Sequence, residues 1–597
     1  MTARRLGVFI CYCGGNISDY VDVERVREEA EQEPEVLIAQ TNTFTCSDAG
    51  QQNIVQAIQE QHLDGIVVAS CSPKLHLNTF RATAQRAGLN PYAYTQVNIR
   101  EQCSWAHTHD KPAATATAIR LVRGGIARTA LSRPLEKLRV DTTSHALVIG
   151  AGVAGLRAAL ALSDLGIAVH LIERAGEPGG MAGRWGKLFP TNRSGSQLVS
   201  TLVEQVRRRD TSAIPGRITL LTHAELVEKS GHVGDFTVKV ALGAGRVVSL
   251  QVGSIIVATG FETYSPPAGE YGFGLDGVLT LPEFKELQDE CNPSGKPEGL
   301  MYKGRQVRTI TYIYCVGSRQ HAAEEGPDDE RAPGTAAGRH PYCSRYCCTA
   351  TVHTALCVDD LHAGIHQFHL FRDMRTYGKY EALYDRALQQ GSVFLRYDEQ
   401  EPPQVTQENG RLVVRVKDRL TRNEEVQIAT DLVVLVTGML PRENSKLIDV
   451  LKLPVGKDGF LNEIHPKLRP VETVIDGVFI AGAAQGPKTL AESVASAMAA
   501  VAKTSALLLK GYVDLEPLVA KVDPAACTGC GACLEACPYD AIELVPLDGK
   551  QVAAVSAVLC KGAGACVPVC EQQALTVEGY TNQQVESMID ALVKEVA

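Results

Sequence analysis

The chain has 597 residues and a formal net charge of −9 at pH 7, with 45% hydrophobic and 21% charged residues. This length predicts three or four domains, and the composition is that of an ordinary soluble globular protein. The negative charge excludes the basic surface that nucleic-acid binding requires. No charged and apolar leader opens the sequence, and no apolar run approaches about 18 residues. We therefore expect a cytoplasmic protein without a membrane span.

The chain contains 18 cysteines, and they occur in groups rather than evenly along the sequence. In a reducing compartment such groups predict metal ligands before disulfides. The histidines do not have the spacing of zinc motifs. The cysteines are therefore the first candidates for metal binding.

Residues 1–135 predict a small α/β domain with a parallel sheet, because apolar strand-like runs alternate with helical patterns. Cysteines follow the ends of successive strands, and in a parallel sheet these ends share one edge. Four thiols that converge there can hold one [4Fe–4S] cluster. The favoured ligands are Cys13, Cys46, Cys71 and Cys103. Cys11 is the alternative to Cys13, and scattered buried thiols are the alternative to a cluster. Residues 136–144 are predicted to be a linker.

A strand, a glycine turn and a helix open the next domain, which we predict over residues 141–265. The turn reads Gly150-x-Gly152-x-x-Gly155, and a second strand ends at Glu173. Gly150 makes the turn, Gly152 lets the backbone approach a pyrophosphate, and Gly155 lets helix and strand pack closely. The helix N-terminus attracts the phosphate charge. Glu173 accepts from a ribose 2′-hydroxyl, so the pattern predicts a dinucleotide without a 2′-phosphate. A βαβ unit with chance glycines is the alternative.

Further glycine-rich segments follow in EPGGMAGRW, in Ala258-Thr259-Gly260, in Thr437-Gly438 and in GVFIAGAAQGPKTLAESVASAM. With the fingerprint they resemble the two-dinucleotide-fold flavoproteins, the thioredoxin reductase and glutathione reductase group, in which they bind FAD. The resemblance implies a Rossmann-like FAD domain whose second part covers residues 431–512. The additional FAD contacts that it implies are Arg174, Gly180, Met181, Thr259, Gly260, Gly438, Gly482, Gln485 and Thr489. Ala483 stands where that group usually has an Asp that contacts the ribityl chain, so this contact is replaced or absent.

The middle domain, predicted over residues 266–430, is where such flavoproteins carry a second glycine fingerprint. Here the strand Arg308–Tyr314 runs into Cys315-Val-Gly-Ser, so we expect a degenerate domain without an NAD(P)H site. A polar loop, Glu324–Arg339, leads to PYCSRYCC. The resulting thiolate set, Cys315, Cys343, Cys347 and Cys348, suffices for one [4Fe–4S] cluster. A zinc ion and a redox-silent patch are the alternatives, and the lack of C-x-x-C pairs disfavours zinc.

Residues 515–597 predict a bacterial ferredoxin-like domain. ACTGCGACLEACPYDAIEL contains the run C-x2-C-x2-C-x3-C-P, whose fourth cysteine ligates the other cluster. The partner run reads CKGAGACVPVC, with Ala563 where a cysteine belongs. The first cluster then has the ligands Cys527, Cys530, Cys533 and Cys570. The second has only Cys537, Cys560 and Cys566, which suit a [3Fe–4S] cluster or a cubane with one iron bound by solvent or by another residue.

Together these parts resemble the A subunits of heterodisulfide reductases and their bacterial homologues. The segments that carry the resemblance are VFICYCGGNI, NTFTCSDAG, VVASCSPKLH, NIREQCSW, the fingerprint, PYCSRYCC, AGAAQGPK and the ferredoxin tail. The resemblance implies an FAD- and iron–sulfur-containing electron-transfer subunit of a larger complex. Members of this family accept electrons from a hydrogenase, formate dehydrogenase or NADH-oxidising module. They pass them to ferredoxin and to partner subunits, in several cases by electron bifurcation at the flavin. A homodimer is implied by the same analogy.

The chain departs from this family in two ways. No additional ferredoxin insert is visible in the flavin domain. Family members also commonly carry a Lys five residues beyond the CC pair, near the reactive nitrogen of the flavin, and here that position is His353. A histidine there can donate a hydrogen bond and titrate near neutrality, or it is simply packed in a helix. Lys379, close to Arg375, is the other candidate for the neighbourhood of the flavin.

An electron-transfer subunit is thus the leading interpretation, and two others stay open. The first is a self-contained NAD(P)H-dependent flavin reductase of thiols or quinones, which needs a pyridine-nucleotide site. The second is a largely structural scaffold for electron transfer. Oxidation of NAD(P)H by the isolated chain distinguishes the first alternative, and a flavin that stays oxidised with competent partners distinguishes the second.

Overall fold

The computed structural model of the protein describes residues 4–210, 216–291, 299–320, 339–362 and 364–594. Apart from its last residue, the polar loop predicted at Glu324–Arg339 lies outside these ranges. The chain forms two compact units, one of Met1–Val140 with Asp514–Ala597 and one of Asp141–Val513. Within the described ranges, no helix combines the length and the apolar character that crossing a membrane requires.

The N-terminal domain of the first unit is built around a four-stranded parallel sheet. In sheet order its strands are Val36–Asn42, Leu6–Cys11, Gly65–Ser70 and Tyr94–Asn98. Its helices are Val23–Glu31, Asp48–Gln61, Pro73–Arg86 and Lys111–Ala130, and a π-helical turn covers Arg100–Ser104. The two central strands are buried along their whole length, because apolar cores lie on both faces of the sheet. The predicted parallel α/β domain is confirmed.

The C-terminal domain of the same unit consists of two antiparallel strand pairs and two helices. The pairs are Ala520–Val522 with Leu575–Val577 and Ile542–Leu547 with Lys550–Val555. The helices are Ala532–Glu535 and Asn582–Val593. Cysteines form part of the core of this domain, where Cys533 and Cys566 are buried among small apolar side chains.

These two domains pack together through the helices Lys111–Ala130 and Asn582–Val593. A Cβ on Gly124 would lie only 3.4 Å from Leu592, so the glycine permits a close approach. The guanidinium of Arg128 lies 3.8 Å over the ring of Tyr580. The two ends of the chain therefore belong to one compact unit, although the sequence predicted them as separate domains.

The second unit begins with a five-stranded parallel sheet of the dinucleotide-binding type. In sheet order its strands are Ile218–Leu221, Ala168–Ile172, His145–Ile149, Ser254–Val257 and Val478–Ile480. Its helices are the fingerprint helix Val153–Asp164, then Gly195–Asp210 and the Ala-rich helix Leu490–Leu508. An antiparallel sheet follows, of Ala224–His232, Asp235–Leu242 and Arg246–Val252. The predicted strand, turn, helix and strand of the fingerprint are confirmed.

The middle domain repeats this architecture with a second five-stranded parallel sheet. Its strands, in sheet order, are Val278–Thr280, Leu432–Thr437, Thr309–Val316, His366–Phe371 and Val393–Arg396. Its helices are Leu281–Cys291, the cysteine helix Cys347–Leu361 and Glu381–Gln389. An antiparallel sheet of Gln404–Glu408, Arg411–Asp418 and Glu424–Thr430 is attached to it. The remaining elements of this unit are the helix Ser445–Leu451 and the strand pairs Phe261–Thr263 with Met439–Pro441, Met301–Tyr302 with Arg305–Gln306, and Lys187–Leu188 with Arg193–Ser194.

Two predicted boundaries differ from the structure. Leu432–Thr437 lies in the middle sheet, although we expected the second part of the FAD domain to begin at residue 431. Both parallel sheets end a buried strand in Thr-Gly, so the local sequence does not tell them apart. The predicted linker 136–144 contains a strand, Leu138–Asp141, which pairs with Tyr512–Leu515. Its alternating half-buried and exposed residues form a pattern too short to read from the sequence.

Candidate functional site

The glycine fingerprint forms the turn between the first strand of its sheet and the fingerprint helix. Gly150 has a φ angle of 101°, in the region that residues with a side chain rarely adopt. A Cβ on Gly155 would lie 1.8 Å from the carbonyl oxygen of Gly150, so only glycine lets the helix pack this closely. Gly152 is the N-cap of the helix, and no described side chain caps it. The first N–H groups of the helix are therefore left for an anion.

A cavity of about 650 Å³ opens beside this turn. The predicted cofactor residues that line it are Gly150, Glu173, Arg174 and Thr259. The two carboxylate oxygens of Glu173 accept backbone N–H groups, from Ala151 at 2.8 Å and from Ala175 at 2.9 Å. These bonds orient the carboxylate and leave lone pairs for a ribose hydroxyl. The cavity thus fits the nucleotide half of FAD.

Asn444 and Arg442 line the same cavity, and the sequence did not predict them. The side-chain amide of Asn444 donates to Oγ1 of Thr259 at 3.1 Å. Arg442 donates to the carbonyl of Phe261 at 3.3 Å, while its buried Nε has no hydrogen-bond partner among the described residues. The same Nε lies 4.0 Å from a carboxylate oxygen of Glu262, so the guanidinium is ion-paired at the edge of the cavity. The two residues have no motif of their own, so only the folded chain identifies them.

The second glycine loop faces the fingerprint through backbone atoms. Gly179 and Gly152 form an isolated bridge, and a Cβ on Gly180 would lie 3.0 Å from the Cα of Gly152. Met181 begins the short 3-10 turn Met181–Arg184 that follows. The predicted residues Gly180 and Met181 therefore lie next to the phosphate-binding turn.

The last predicted FAD segment is the 3-10 turn Gly482–Gln485 before the Ala-rich helix. Ser496 of that helix accepts from the amide of Gly482 and donates to the side chain of Gln485. Thr489 is the N-cap and forms a capping box with Glu492. Ala483 is buried in the turn. These bonds fix the turn to its own helix. Gly260, by contrast, directly follows Thr259 of the 650 Å³ cavity.

Four cysteines of the middle domain come together at the start of the cysteine helix. We call them the central thiol group: Cys315, Cys343, Cys347 and Cys348. The thiol of Cys347 donates to Cys348, which raises the pKa of Cys347 and lowers the pKa of Cys348. Burial raises the pKa of Cys315, and the neighbouring Cys348 acts in the same direction. Cys343 is another neighbour of Cys347. The structure therefore brings the four predicted ligands together.

Positive charge surrounds the central thiol group. The guanidinium groups of Arg372 and Arg319 oppose the burial that raises the pKa of Cys315. Arg319 and Arg375 also lower the pKa of Cys348. The cysteine helix begins without a side-chain cap from any described residue, so its N-terminus also favours negative charge here. These cations partly offset the burial that disfavours thiolates, and they would favour the anionic cluster that the four thiols would hold.

Two residues before the cysteine helix connect the central thiol group to the dinucleotide domain. The ring of Tyr346 stacks on Trp185, with the centroids 5.5 Å apart and the planes at 27°. Trp185 directly follows the turn Met181–Arg184. Arg345 pairs with Glu492 of the Ala-rich helix at 2.7 Å. Side chains next to the predicted cluster ligands therefore contact the predicted flavin loop.

His353 lies two turns into the cysteine helix, and it is 5% exposed. Neither of its ring nitrogens has a hydrogen-bond partner among the described residues, and its ring meets Phe189 edge-on at 5.7 Å. Burial lowers the pKa of His353 to about 4, and Lys285 and Lys187 act in the same direction. Of the two interpretations of His353, this geometry favours a side chain that is packed in the helix.

A buried cation that the sequence did not single out lies beside His353. The ammonium of Lys285 donates to the carbonyl of Lys187 at 2.8 Å and to Oγ1 of Thr354 at 3.4 Å. Burial lowers the pKa of Lys285 to about 8. No motif marks this lysine, because it is one of several charged residues along an amphipathic helix.

Gly438 and Lys379 lie away from the fingerprint. A Cβ on Gly438 would lie 2.9 Å from the carbonyl oxygen of Gly317 and 2.9 Å from Oγ of Ser344, so this glycine packs beside the central thiol group. Lys379 is exposed in the turn Gly378–Tyr380. It is therefore outside the packed surroundings of His353.

Thiols of the N-terminal domain gather at the carboxyl edge of its sheet. Burial raises the pKa of Cys46, and Cys11 and Cys13 act in the same direction. Burial raises the pKa of Cys71 to about 11, although the guanidinium of Arg100 opposes it. The group that forms is Cys11, Cys13, Cys46 and Cys71.

Cys103 and Cys11, a favoured ligand and the alternative to Cys13, have different surroundings. Cys103 is fully buried in the π-helical turn, and burial alone raises its pKa to about 12. The sulfur of Cys11 accepts backbone N–H groups from Cys13 at 3.3 Å and from Thr45 at 3.4 Å. Cys11 therefore lies with Cys13 in the N-terminal thiol group, because the strand that carries it ends at the shared edge of the sheet. The set of cluster ligands, Cys103 included, stays a prediction.

In the C-terminal domain, four cysteines line a cavity of about 220 Å³. They are the predicted ligands of the first cluster, Cys527, Cys530, Cys533 and Cys570, and we call this the first ferredoxin site. Burial raises the pKa of Cys533, and the other three thiols act on it in the same direction. Cys570 of the second run therefore lies beside three cysteines of the first run, as the predicted exchange of ligands requires.

The second ferredoxin site contains the other three cysteines of this domain, Cys537, Cys560 and Cys566. Burial raises the pKa of Cys566, and Cys560 and Cys537 act in the same direction. The sulfur of Cys537 accepts the N–H of Ala541 at 3.4 Å. The structure thus brings the three predicted ligands together.

The spacing of the thiols bears on the choice between a zinc ion and an iron–sulfur cluster. Within the part of the chain that the structure describes, no three His, Cys, Asp or Glu side chains close around one metal ion. Four thiolates on one zinc ion would each lie about 2.3 Å from the same point. In an iron–sulfur cluster each thiolate binds its own iron atom, so the ligands are spread around a larger body.

The sequence is similar to known families and proteins. Residues 144–295 match the family described as pyridine nucleotide-disulphide oxidoreductase, and residues 526–574 match the 4Fe-4S dicluster domain. The chain is 36% identical to an iron–sulfur A subunit of the CoB–CoM heterodisulfide reductase of Methanopyrus kandleri, over 92% of each chain. It is 34% identical to the A subunit of the H(2):CoB-CoM heterodisulfide,ferredoxin reductase of Methanothermobacter marburgensis, over 91% of each. Thioredoxin reductase of T. acidophilum aligns with 61% of this chain and 99% of its own, at 14% identity and a TM-score of 0.39.

Proposed function

Because the chain belongs to the family of heterodisulfide reductase A subunits, we propose that it passes electrons between a donor module, ferredoxin and a heterodisulfide-reductase-type acceptor module. The resemblance predicted from the sequence is confirmed by these relatives. The chain is an oxidoreductase subunit for electron transfer, with FAD in its dinucleotide domain and [4Fe–4S] clusters. The finer assignment of partners is our proposal.

The contact of Tyr346 with Trp185 carries this proposal. It joins the residue before Cys347 to the loop after the second glycine pair, so the central thiol group adjoins the predicted flavin loop. The fingerprint glycines and Glu173 would hold the nucleotide half of FAD, and the central thiol group would hold a cluster. FAD supplies two-electron chemistry when bound, whereas a cluster exchanges one electron at a time. We therefore place the first exchange of the flavin at this cluster.

The middle domain supports iron and sulfur, rather than a nicotinamide, as the partner of the flavin. Its central strand Thr309–Val316 contains Cys315 near its end and is followed by Gly317, without the three glycines that a dinucleotide needs. The arginines around the central thiol group favour anionic thiolates. The N–H groups at the start of the cysteine helix then face a cluster instead of a pyrophosphate.

We further propose that electrons part at the flavin by bifurcation. The name of the M. marburgensis relative couples H(2) to two acceptors, a heterodisulfide and ferredoxin. In this chain, one electron of each pair would go toward ferredoxin and the other toward the heterodisulfide-type acceptor. A hydrogenase, formate dehydrogenase or NADH-oxidising module would supply the pairs. The three residues Arg319, Arg372 and Arg375 would then set the potential of the cluster next to the branch.

The test compares two cysteines of the same helix. Cys348→Ala removes a proposed ligand, whereas Cys357→Ala removes a buried thiol of the same helix that lies outside the central group and contacts Asn192. The full chain is purified without oxygen, its iron is counted, and reduction of the flavin by reduced ferredoxin is followed by stopped flow. We expect C348A to lose about four irons per chain. Its flavin should be reduced at least tenfold more slowly, or about 1.4 kcal/mol.

C357A should keep both the iron and the rate. A C348A protein that loses this iron but reduces its flavin at the wild-type rate would contradict the proposal. Rapid bleaching of the flavin by NADPH in both variants would favour the self-contained reductase instead.

A further inference from the structure

The two cysteine runs of the C-terminal domain have matching surroundings. The sulfur of Cys527 accepts the N–H of Ala553 at 3.4 Å, and the sulfur of Cys560 accepts the N–H of Ala520 at 3.4 Å. In each run the donor lies on a strand that the run packs against. The second run therefore keeps the sulfur-binding contacts of the first.

The match extends to the glycine before the second ligand position of each run. A Cβ on Gly529 would lie 2.4 Å from the carbonyl oxygen of Gln551. A Cβ on Gly562 would lie 2.2 Å from the carbonyl oxygen of Leu518. Because both backbones approach a strand this closely, the two loops follow the same path, and the second loop still has the shape of a cluster-binding loop.

Ala563 stands in the second run where Cys530 stands in the first. Both are flanked by glycines in the left-handed region, with φ angles of 72° and 83° beside Cys530 and of 64° and 74° beside Ala563. The backbone thus holds Ala563 in the position of a ligand, but its side chain has no ligand atom. The chain neighbours on either side, Gly562, Gly564 and Ala565, have none either.

The missing ligand is at the solvent-facing corner of the site. Cys530 is exposed, and so is Ala563. The inner ligands of the two runs, Cys533 and Cys566, are both buried. The second ferredoxin site therefore lacks its solvent-exposed ligand, whereas its three other thiols are present. An external ligand has direct access to such a corner.

We propose that the second ferredoxin site holds a cluster with three protein thiolates and one solvent-facing iron position that gains and loses iron. The 4Fe-4S dicluster pattern that matches residues 526–574 implies four thiolates here, and the residues present do not provide them. In the oxidised state the site holds [3Fe–4S]⁺. One electron from a low-potential donor such as a reduced ferredoxin gives [3Fe–4S]⁰, which takes up Fe²⁺ to form [4Fe–4S]²⁺. Removal of one electron from [4Fe–4S]²⁺ by a mild oxidant such as ferricyanide releases Fe²⁺ and restores [3Fe–4S]⁺. Water or a small thiolate is then the fourth ligand of the added iron.

The first ferredoxin site provides the matched control. Ala563→Cys supplies the missing ligand, and Cys530→Ala creates the same open corner in the other run. The full chain and both variants are prepared without oxygen and oxidised mildly. The electron paramagnetic resonance signal of oxidised [3Fe–4S] is then quantified per chain, together with total iron. We expect the signal in the wild type, its loss in A563C with a gain of about one iron, and about twice the signal in C530A.

A second measurement uses Fe²⁺ with dithionite as the only additions to the oxidised wild type. Dithionite alone should abolish the signal by reducing the cluster, and the signal should return on reoxidation without a change in iron content. With Fe²⁺ also present, the wild type should take up one iron per chain, and 2-mercaptoethanol should then alter its spectrum. A563C should take up no iron, and 2-mercaptoethanol should leave its spectrum unchanged. A wild type without the signal, and with the same iron content as A563C, would overturn the proposal. So would a wild type that lacks the second cluster altogether. None of these readouts depends on the proposed electron path through the flavin.

Discussion

The dinucleotide domain and the middle domain both place a helix N-terminus at a predicted anion site, but the predicted anions differ. In both, a central strand of a parallel sheet leads toward a helix whose N-terminus no described side chain caps. In the first domain the connection contains the fingerprint glycines, and the N–H groups face a pyrophosphate site. In the second the helix begins with Cys347 and Cys348, and the same N–H groups face a thiolate set. The uncapped helix N-terminus thus favours negative charge in both domains, and the residues at the turn determine which anion binds there.

The two turns differ in what they tolerate. The fingerprint depends on the absence of side chains, because a Cβ on Gly150 or Gly155 would meet backbone. The central thiol group depends on particular side chains, and their removal should leave the backbone unchanged. Substitution of Gly150 or Gly155 should therefore disturb folding, whereas substitution of a central thiol should reduce cofactor content.

The largest effect is expected at Gly155. In Gly155→Ala, the new Cβ would meet the carbonyl oxygen of Gly150 at 1.8 Å, so the helix must shift away from the strand. We expect a loss of about 3 kcal/mol or more in unfolding free energy and loss of FAD. Gly152→Ala is the matched variant, because its Cβ has 3.9 Å to the nearest atom, in Gly180.

G152A should lose FAD affinity while keeping its stability without cofactor. Flavin absorbance per chain and thermal unfolding of the cofactor-free chain measure the two properties separately. A G155A protein that is as stable as G152A would contradict the close packing of strand and helix.

An intermediate effect is expected from pH at the cysteine helix. The folded-state pKa of His353 is depressed to about 4, below the ordinary 6.5. The stability that depends on the neutral ring is therefore fully present above about pH 6.5, and it is lost as the pH falls toward 4. The loss amounts to at most about 3 kcal/mol for a shift of this size.

His353→Gln removes this titration without removing a polar side chain. Denaturant unfolding of wild type and H353Q at pH 7 and pH 5 measures the difference. The wild type should lose more stability than the variant over this range. Equal losses would mean that the ring is more hydrated than its packing against Phe189 indicates.

The smallest effect is expected at the Ala-rich helix, whose N-terminus is capped by its own residues. Thr489 and Glu492 form a capping box at the start of the Ala-rich helix, in contrast to the two anion-facing helices. Thr489→Ala should cost about 1 kcal/mol, with or without FAD. Thr581→Ala removes the equivalent capping box in the first unit and is the matched control. A cost at Thr489 that appears only when FAD is bound would show that this helix also depends on the cofactor.

Local patterns in the sequence identified the elements whose chemistry lies in adjacent residues. The second fingerprint strand, Ala168–Ile172, ends directly before Glu173, within one residue of the prediction, since a buried run marks its end. The three thiols of the second ferredoxin site were assigned correctly to one place because the spacing of ferredoxin runs fixes their exchange. The fold of these regions could therefore be predicted from the sequence alone.

Contacts between segments that are far apart in the sequence could not be predicted. Asn444 reaches Thr259 only because the chain returns to the first sheet after the middle domain. The position of Cys11 beside Cys13 and the burial of Cys103 depend on where one strand ends and a π-helical turn begins, which spacing does not encode. Lys285 is buried only because the helix Leu281–Cys291 faces the cysteine helix through Thr354. In each case the deciding quantity is burial by another segment.

The pairing of the helices Lys111–Ala130 and Asn582–Val593 has a consequence for biosynthesis. The first of them leaves the ribosome early, but the helix that covers Gly124 is made more than 400 residues later. At about 5–20 residues per second, the exposed face waits roughly 20 seconds or more for its partner. During that interval the nascent N-terminal domain presents a small-residue face to the surrounding solvent. Chaperone occupancy on stalled nascent chains should therefore persist until the second helix has emerged.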